Sequence, residues 1–173
     1  MSSLEQKIIV GIADMAVSKN PTVTLATYSL GSCLGVAIYD PITKAGGLLH
    51  VMLPDSNIDA AKAAERPSMF VDTGVAALFR AVYQLGAEKQ RLIISVAGGA
   101  QILDGSGLFN LGPRNHEALN RLLTEHDLCI YAEQVGGLAN RSMRLSLATG
   151  EVRLKVSGQF GETLLLCKNS TST

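Results

Sequence analysis

The chain has 173 residues, 47% of them hydrophobic and 17% charged, which is enough for a substantial core inside one ordinary domain. Fifteen Lys and Arg balance fifteen Asp and Glu, so net charge supplies no general attraction to nucleic acid or anionic lipid, and recognition must rest on shape and local chemistry. The three cysteines, Cys33, Cys129 and Cys167, form an odd set without a CxxC pair, which argues against a disulfide framework and a cysteine-rich zinc site and points to the cytoplasm.

The polar start "MSSLEQK" is followed by "IIVGIADMAV", which carries Asp14 and is too short to span a bilayer, so no secretion signal or membrane segment is expected. "KIIVGIADMAVS", "PTVTLATYS", "CLGVAIYD" and "GGLLHVML" read as successive strands, punctuated by Asn-Pro, Gly-Ser and Asp-Pro. The turn-forming "PITKAGG" joins the last two as an antiparallel hairpin, with Cys33 opening its first strand and His50 towards the end of its second. An antiparallel pair brings those positions to one edge of the sheet, so a separation of seventeen residues is compatible with side-chain contact.

The polar, Ala-rich "PDSNIDAAKAAERP" reads as a loop over that edge and a candidate lid. "SMFVDTGVAALFRAVYQLGA" predicts a helix from the spacing of Val71, Val75, Leu78, Val82 and Leu85, with Gly86 as its stop. "QRLIISVAGGAQIL" predicts a strand entering a Gly-Gly turn, and "RNHEALNRLLTEHD" a second amphipathic helix. "LCIYAEQVGG", "SMRLSLATG" and "EVRLKVSG" predict three closing strands, the last two forming a hairpin around "ATGE". The order predicts an α/β or α+β sandwich, helices packed on a mixed sheet, with a domain over residues 1–168 and a polar, disordered tail at 169–173. No heptad seam is present, and a monomer is expected.

Composition alone favours core packing for Cys33, because cysteine is among the most buried residue types. Its lead-in argues the other way: Gly31 permits a sharp turn and close approach, and Ser32 keeps that approach polar. His50, a lone histidine in an apolar strand, is by itself a satisfied structural residue; beside Cys33 it becomes a base for a thiol nucleophile. Such a base needs an orienting group, and Thr27 and Ser29 are the local hydroxyls, although Thr27 also suits a strand on propensity alone. Cys129 and Cys167 fit buried structural thiols, and His116 and His126 fit surface positions without an i, i+4 metal pair. The pairs Gly98-Gly99 and Gly136-Gly137 lack the spacing and the lysine of a phosphate loop and read as tight strand exits or backbone donors along a cleft. Arg114 or Asn115 reads as a helix cap, with substrate contact as the alternative.

Taken together, "LGSCLGVAIYDP", "GGLLHVMLPDS", "AGGAQIL", "LGPRN", "AEQVGG" and "NRSMRLSLATGEV" resemble the chemoreceptor glutamine deamidase family, CheD, of bacterial and archaeal chemotaxis. The resemblance implies an α/β sandwich with a Cys-His-Thr triad similar to that of the cytotoxic necrotizing factor toxins. Carried over by motif, Cys33 is the nucleophile, His50 the base and Thr27 the orienting residue. It implies hydrolysis of protein-glutamine side-chain amides through a thioester, with no metal or organic cofactor, on the helical cytoplasmic region of chemotaxis receptors. It also implies association with the phosphatase CheC, so a regulatory binding module with little turnover is the alternative, and a non-receptor protein substrate a third. Pro113 before Arg114 departs from the family pattern, and residues 57–67 do not align with it.

Overall fold

The computed structural model describes residues 4–102 and 110–167; the expected tail at 169–173 lies outside them. The elements run β1 (Gln6–Val10), β2 (Asp14–Ser18), β3 (Val23–Leu30), β4 (Leu34–Tyr39), β5 (Gly46–Val51), α1 (Ala60–Glu65), α2 (Val71–Gln84), β6 (Ile93–Gly98), α3 (Leu111–Glu125), β7 (Ala132–Val135), β8 (Arg141–Ser146), β9 (Val152–Val156) and β10 (Thr163–Leu164). Two five-stranded mixed sheets result, ordered β1-β3-β8-β9-β10 and β2-β5-β4-β6-β7. Pairings are antiparallel except for β1 with β3 and β6 with β7. The arrangement is the expected α+β sandwich.

The layer order follows from hydrophobic patterning. In β4, "LGVAIY", and β5, "GGLLHV", every residue is buried, as a strand covered on both faces requires. In β8, "RSMRLS", buried and partly exposed residues alternate, as in a strand with one wet face. The sheet holding β4 and β5 is therefore the middle layer. On one face Leu34, Val36, Ile38, Leu49 and Val51 meet Val71, Val75, Leu78 and Val82 of α2 and Leu119 and Leu123 of α3. On the other, Ala37, Tyr39, Leu48 and Ala97 meet Leu25, Met143, Leu145 and Leu154 of the outer sheet.

The structure departs from the sequence reading at several places, among them a short β10 that is not among the predicted strands and a Cys167 that is only partly buried. The run "KIIVGIADMAVS" is not one strand: the backbone turns at Gly11–Ala13, with Ala13 at φ 58°, and carries the chain from one sheet to the other. The stretch expected to be a loop and lid contains α1, because "AAKAAE" is rich in good helix formers and Asp59 caps it by accepting from the Lys62 N–H at 3.0 Å. Ala63 of α1 packs with Ala13, Met69 and Phe70. Cys129 is exposed rather than buried: β7 begins only at Ala132, and the extended lead-in turns Leu128 and Ile130 towards the core while Cys129 faces out. α3 begins at Leu111, ahead of the predicted Arg114, so Asn115 sits inside the helix and the cap position is Asn110.

Candidate active site

Thr27, Cys33 and His50 arise on three neighbouring segments around the space between the sheets. In the β4–β5 hairpin Gly35 is paired with His50 and Leu34 with Val51. Cys33, two residues before Gly35, is therefore the diagonal neighbour of His50 on the same face, at a spacing that longer side chains bridge. Cys33 is partly buried and packs against the inter-sheet core, whereas His50 is fully buried. From the opposite sheet, Thr27 of β3 is also fully buried, and its Oγ1 lies 2.8 Å from His50 Nδ1. Ser29, the other hydroxyl considered, is exposed at φ 60° where the β3–β8 register shifts, and it does not join the group.

The hydrogen-bond chemistry of this pair fixes a tautomer. The Thr27 hydroxyl has one proton and lies 2.8 Å from the Val10 carbonyl, which can only accept. That proton is therefore engaged, and Oγ1 must accept from His50 Nδ1–H. The proton on Nδ1 leaves Nε2 as the lone-pair nitrogen, and it has no hydrogen-bond partner among the described residues. The result is a positioned base with its acceptor nitrogen open.

The Val10 carbonyl reaches Thr27 because β1 lies parallel to β3 with Val10 opposite Thr27. The chain then crosses to the middle sheet, where the Ala13 N–H donates to the His50 carbonyl at 2.9 Å. The Gly11–Ala13 crossover that sequence patterning did not reveal thus supplies the last link of the relay.

Burial holds the His50 imidazole far below the usual histidine range, at about 4. At neutral pH it is uncharged and able to accept a proton. The same shift makes the fold acid-sensitive. Above pH 6.5 neither state binds a proton at this residue; between 6.5 and 4 the unfolded chain takes one up and the folded chain does not, so stability falls as pH falls. From pH 7 to 5 the loss from this residue is expected to be about 2 kcal/mol. Urea titrations at the two pH values measure it, and His50→Gln should remove that part of the difference.

The turn bearing Cys33 is clasped from two sides. After β6, the Gly99 N–H donates to the Cys33 carbonyl and the Ala100 N–H to the Gly31 carbonyl, both at 2.8 Å. Gly98 has φ +111°, and a Cβ there would stand 2.2 Å from the Cys33 carbonyl oxygen, so only glycine admits the contact. Gly98→Ala must displace the turn that carries Cys33, and a reduction of about 10²-fold in the rate of a reaction at that thiol is expected from such a misplacement, read with a melting curve of the same variant. On the other side, the fully buried Asn115 of α3 donates from Nδ2 to the Ser32 carbonyl at 3.0 Å and the Met52 carbonyl at 2.9 Å. The start of α3 comes this close because Gly112 lies against the Gly99 and Ala100 carbonyls, each 2.4 Å from where a Cβ would be.

Sequence reasoning flagged Asn115 for the wrong role. The signal that would have found its position is helical: Leu111, Asn115, Leu119 and Leu123 recur every four residues, so the amide occupies a place on the buried stripe. His116 instead pairs with Glu133 at 2.8 Å, and His126 is exposed on the far end of α3. Arg114 lies with Asp72, Glu117 and Arg121 in a groove between α2 and α3. The four glycines of the two Gly pairs all have positive φ, as tight strand exits require. Among the described residues no three His, Cys, Asp or Glu side chains gather as a metal site.

Comparison with known proteins adds to this geometry. The family model described as CheD chemotactic sensory transduction matches residues 52–156. A relative from Syntrophus aciditrophicus, "Probable chemoreceptor glutamine deamidase CheD 1", is 48% identical over 151 residues, covering 87% of this chain and 94% of the relative. "Probable chemoreceptor glutamine deamidase CheD" of Solibacter usitatus is 45% identical over 157 residues, covering 91% and 93%. Its namesake in Pyrococcus abyssi is 40% identical over 165 residues, covering 92% and 98%. The family model begins just after His50, but alignments this long in a chain of 173 residues extend across Thr27, Cys33 and His50.

Proposed function

The chain belongs to the CheD chemotactic sensory transduction family, and on that premise we propose that it is a hydrolase that deamidates glutamine side chains of chemotaxis receptors, with Cys33 as nucleophile, His50 as base and Thr27 as its orienting partner. The observation that carries the assignment is the Val10–Thr27–His50 relay, which leaves Nε2 open on the face that Cys33 shares. The relatives' names supply the substrate class.

As the Cys33 sulfur attacks the amide carbon of the bound glutamine, its proton passes to His50 Nε2. The carbonyl π bond opens to an oxyanion, for which backbone N–H groups of the Ser32–Cys33 turn are the nearby donors. Collapse expels the amine, which leaves as ammonia with the proton returned by the imidazolium. Because burial disfavours that imidazolium, it is a strong acid at the moment the leaving group needs a proton. Water then gives a proton to Nε2 and attacks the thioester, yielding a glutamate side chain and restoring the thiol. Every step uses groups of this chain, the substrate and one water molecule.

The proposal places the protein in the cytoplasm with the helical region of the receptors; among the described residues no helix is long and apolar enough to cross a membrane. It also includes association with the phosphatase CheC at the same face, which predicts that CheC added in excess slows deamidation. The direct test is to incubate the protein with a receptor cytoplasmic fragment and weigh the glutamine-containing peptides, with Cys33→Ala alongside. A gain of about one mass unit per modified site, the amide-to-acid exchange, is expected only with Cys33 intact. Equal gain with Cys33→Ala, or none while the proteins bind, contradicts the assignment.

A further inference from the structure

We propose that Asn115 is a positioning residue for this reaction, its side-chain amide setting the separation between the turn that carries the nucleophile and the strand that carries the base. The inference rests on the deamidase reading. Ser32 directly precedes Cys33, and Met52 lies two residues beyond His50; the carbonyls of both accept from the one Asn115 Nδ2, at 3.0 and 2.9 Å. Because both neighbours are carbonyl oxygens, the group facing them must be the NH₂, and its two protons match two acceptors.

A primary amide is the neutral side-chain group that offers two protons from one atom. Serine or threonine at the same place would satisfy one carbonyl and release the other. The arrangement leaves Asn115 Oδ1 buried and without a hydrogen-bond partner among the described residues. An apolar residue on this stripe, continuing Leu111, Leu119 and Leu123, would avoid that orphan acceptor but would take the donor away from both the Ser32 and the Met52 carbonyl, so the asparagine is what ties the helix to the two segments at once.

The clamp also orients a peptide group. The Ser32–Cys33 peptide unit is planar and trans, so a Ser32 carbonyl held towards Asn115 turns the Cys33 N–H to the opposite side. That N–H is one of the donors adjacent to the sulfur that the oxyanion requires. Asn115 acts through these backbone groups and needs no contact with the substrate.

The test compares Asn115→Ala and Asn115→Asp with Leu119→Val, a fully buried position on the same helix whose side chain has no donor for either carbonyl. For each, the thermal midpoint, kcat and KM on a receptor fragment, and the rate of Cys33 alkylation by iodoacetamide against pH are measured. Both Asn115 variants are expected to lose about tenfold or more in kcat with KM nearly unchanged and to shift the alkylation profile. Leu119→Val should lower the thermal midpoint while leaving kcat and the profile as in the parent protein. Unaltered kcat and profile in Asn115→Ala, or equal changes in Leu119→Val, overturn the proposal. If the parent protein modifies no receptor glutamine, the deamidase reading fails, and the alkylation profile still decides whether Asn115 positions the thiol.

Discussion

Cys33→Ser is expected to lower kcat for receptor glutamine deamidation by about 10⁴-fold or more, with the fold retained. The substitution changes one atom at a partly buried position, so packing is nearly conserved. What changes is the acidity of the proposed nucleophile. A hydroxyl is far less acidic than a thiol, and the proposed base on the same strand face is a neutral imidazole whose protonated form is held near pKa 4. Such a base takes a thiol proton in an uphill step, and a serine proton in a step that is uphill by far more. Ammonia release per minute with and without the substitution measures the effect. Cys129→Ser, at an exposed position, should be indistinguishable from the parent protein.

Thr27→Val should lose about 10²-fold in kcat, and stability as well. Valine has nearly the same shape as threonine but removes both the acceptor for His50 Nδ1–H and the donor to Val10. Without them either nitrogen of the imidazole can carry the proton, and the ring loses its anchor to the opposite sheet. Two buried polar groups are left unpaired, so stability should also fall, by about 2 kcal/mol or more. Thr27→Ser keeps the hydroxyl and should stay within about threefold of the parent. A melting curve beside the rate separates the two consequences: the serine variant that loses only a methyl group should keep the rate even if it loses some stability.

Much of this site was legible before the fold. The hairpin could be read because "PITKAGG" punctuates two apolar runs, and antiparallel pairing then forces Cys33 and His50 towards one edge. The same runs were legible as strands, and their place as the middle layer came only with the burial of every residue of β4 and β5. The Val10 carbonyl could not be read, because a backbone group has no signature in side-chain patterning. Its placement follows from a chain reversal at Gly11–Ala13 inside a run that is apolar on both sides, and nothing local states that the two halves join different sheets. α1 was missed for a different reason: its six residues show no apolar stripe, and only Ala-rich propensity and the Asp59 cap mark it. Asn115 was visible but misassigned, since an asparagine near a helix start suggests a cap until the helix is known to begin four residues earlier.

The relay makes a claim about one proton that can be observed without any substrate. Nitrogen-15 NMR of the histidine side chains, with His50 assigned by comparison with His50→Gln, reads which ring nitrogen carries the proton and at what pH the ring becomes charged. The account predicts a neutral His50 protonated on Nδ1, with an unprotonated Nε2, from pH 7 down to near pH 4, and loss of that single tautomer in Thr27→Val. A His50 that is protonated on Nε2, or already an imidazolium at pH 7, would contradict it.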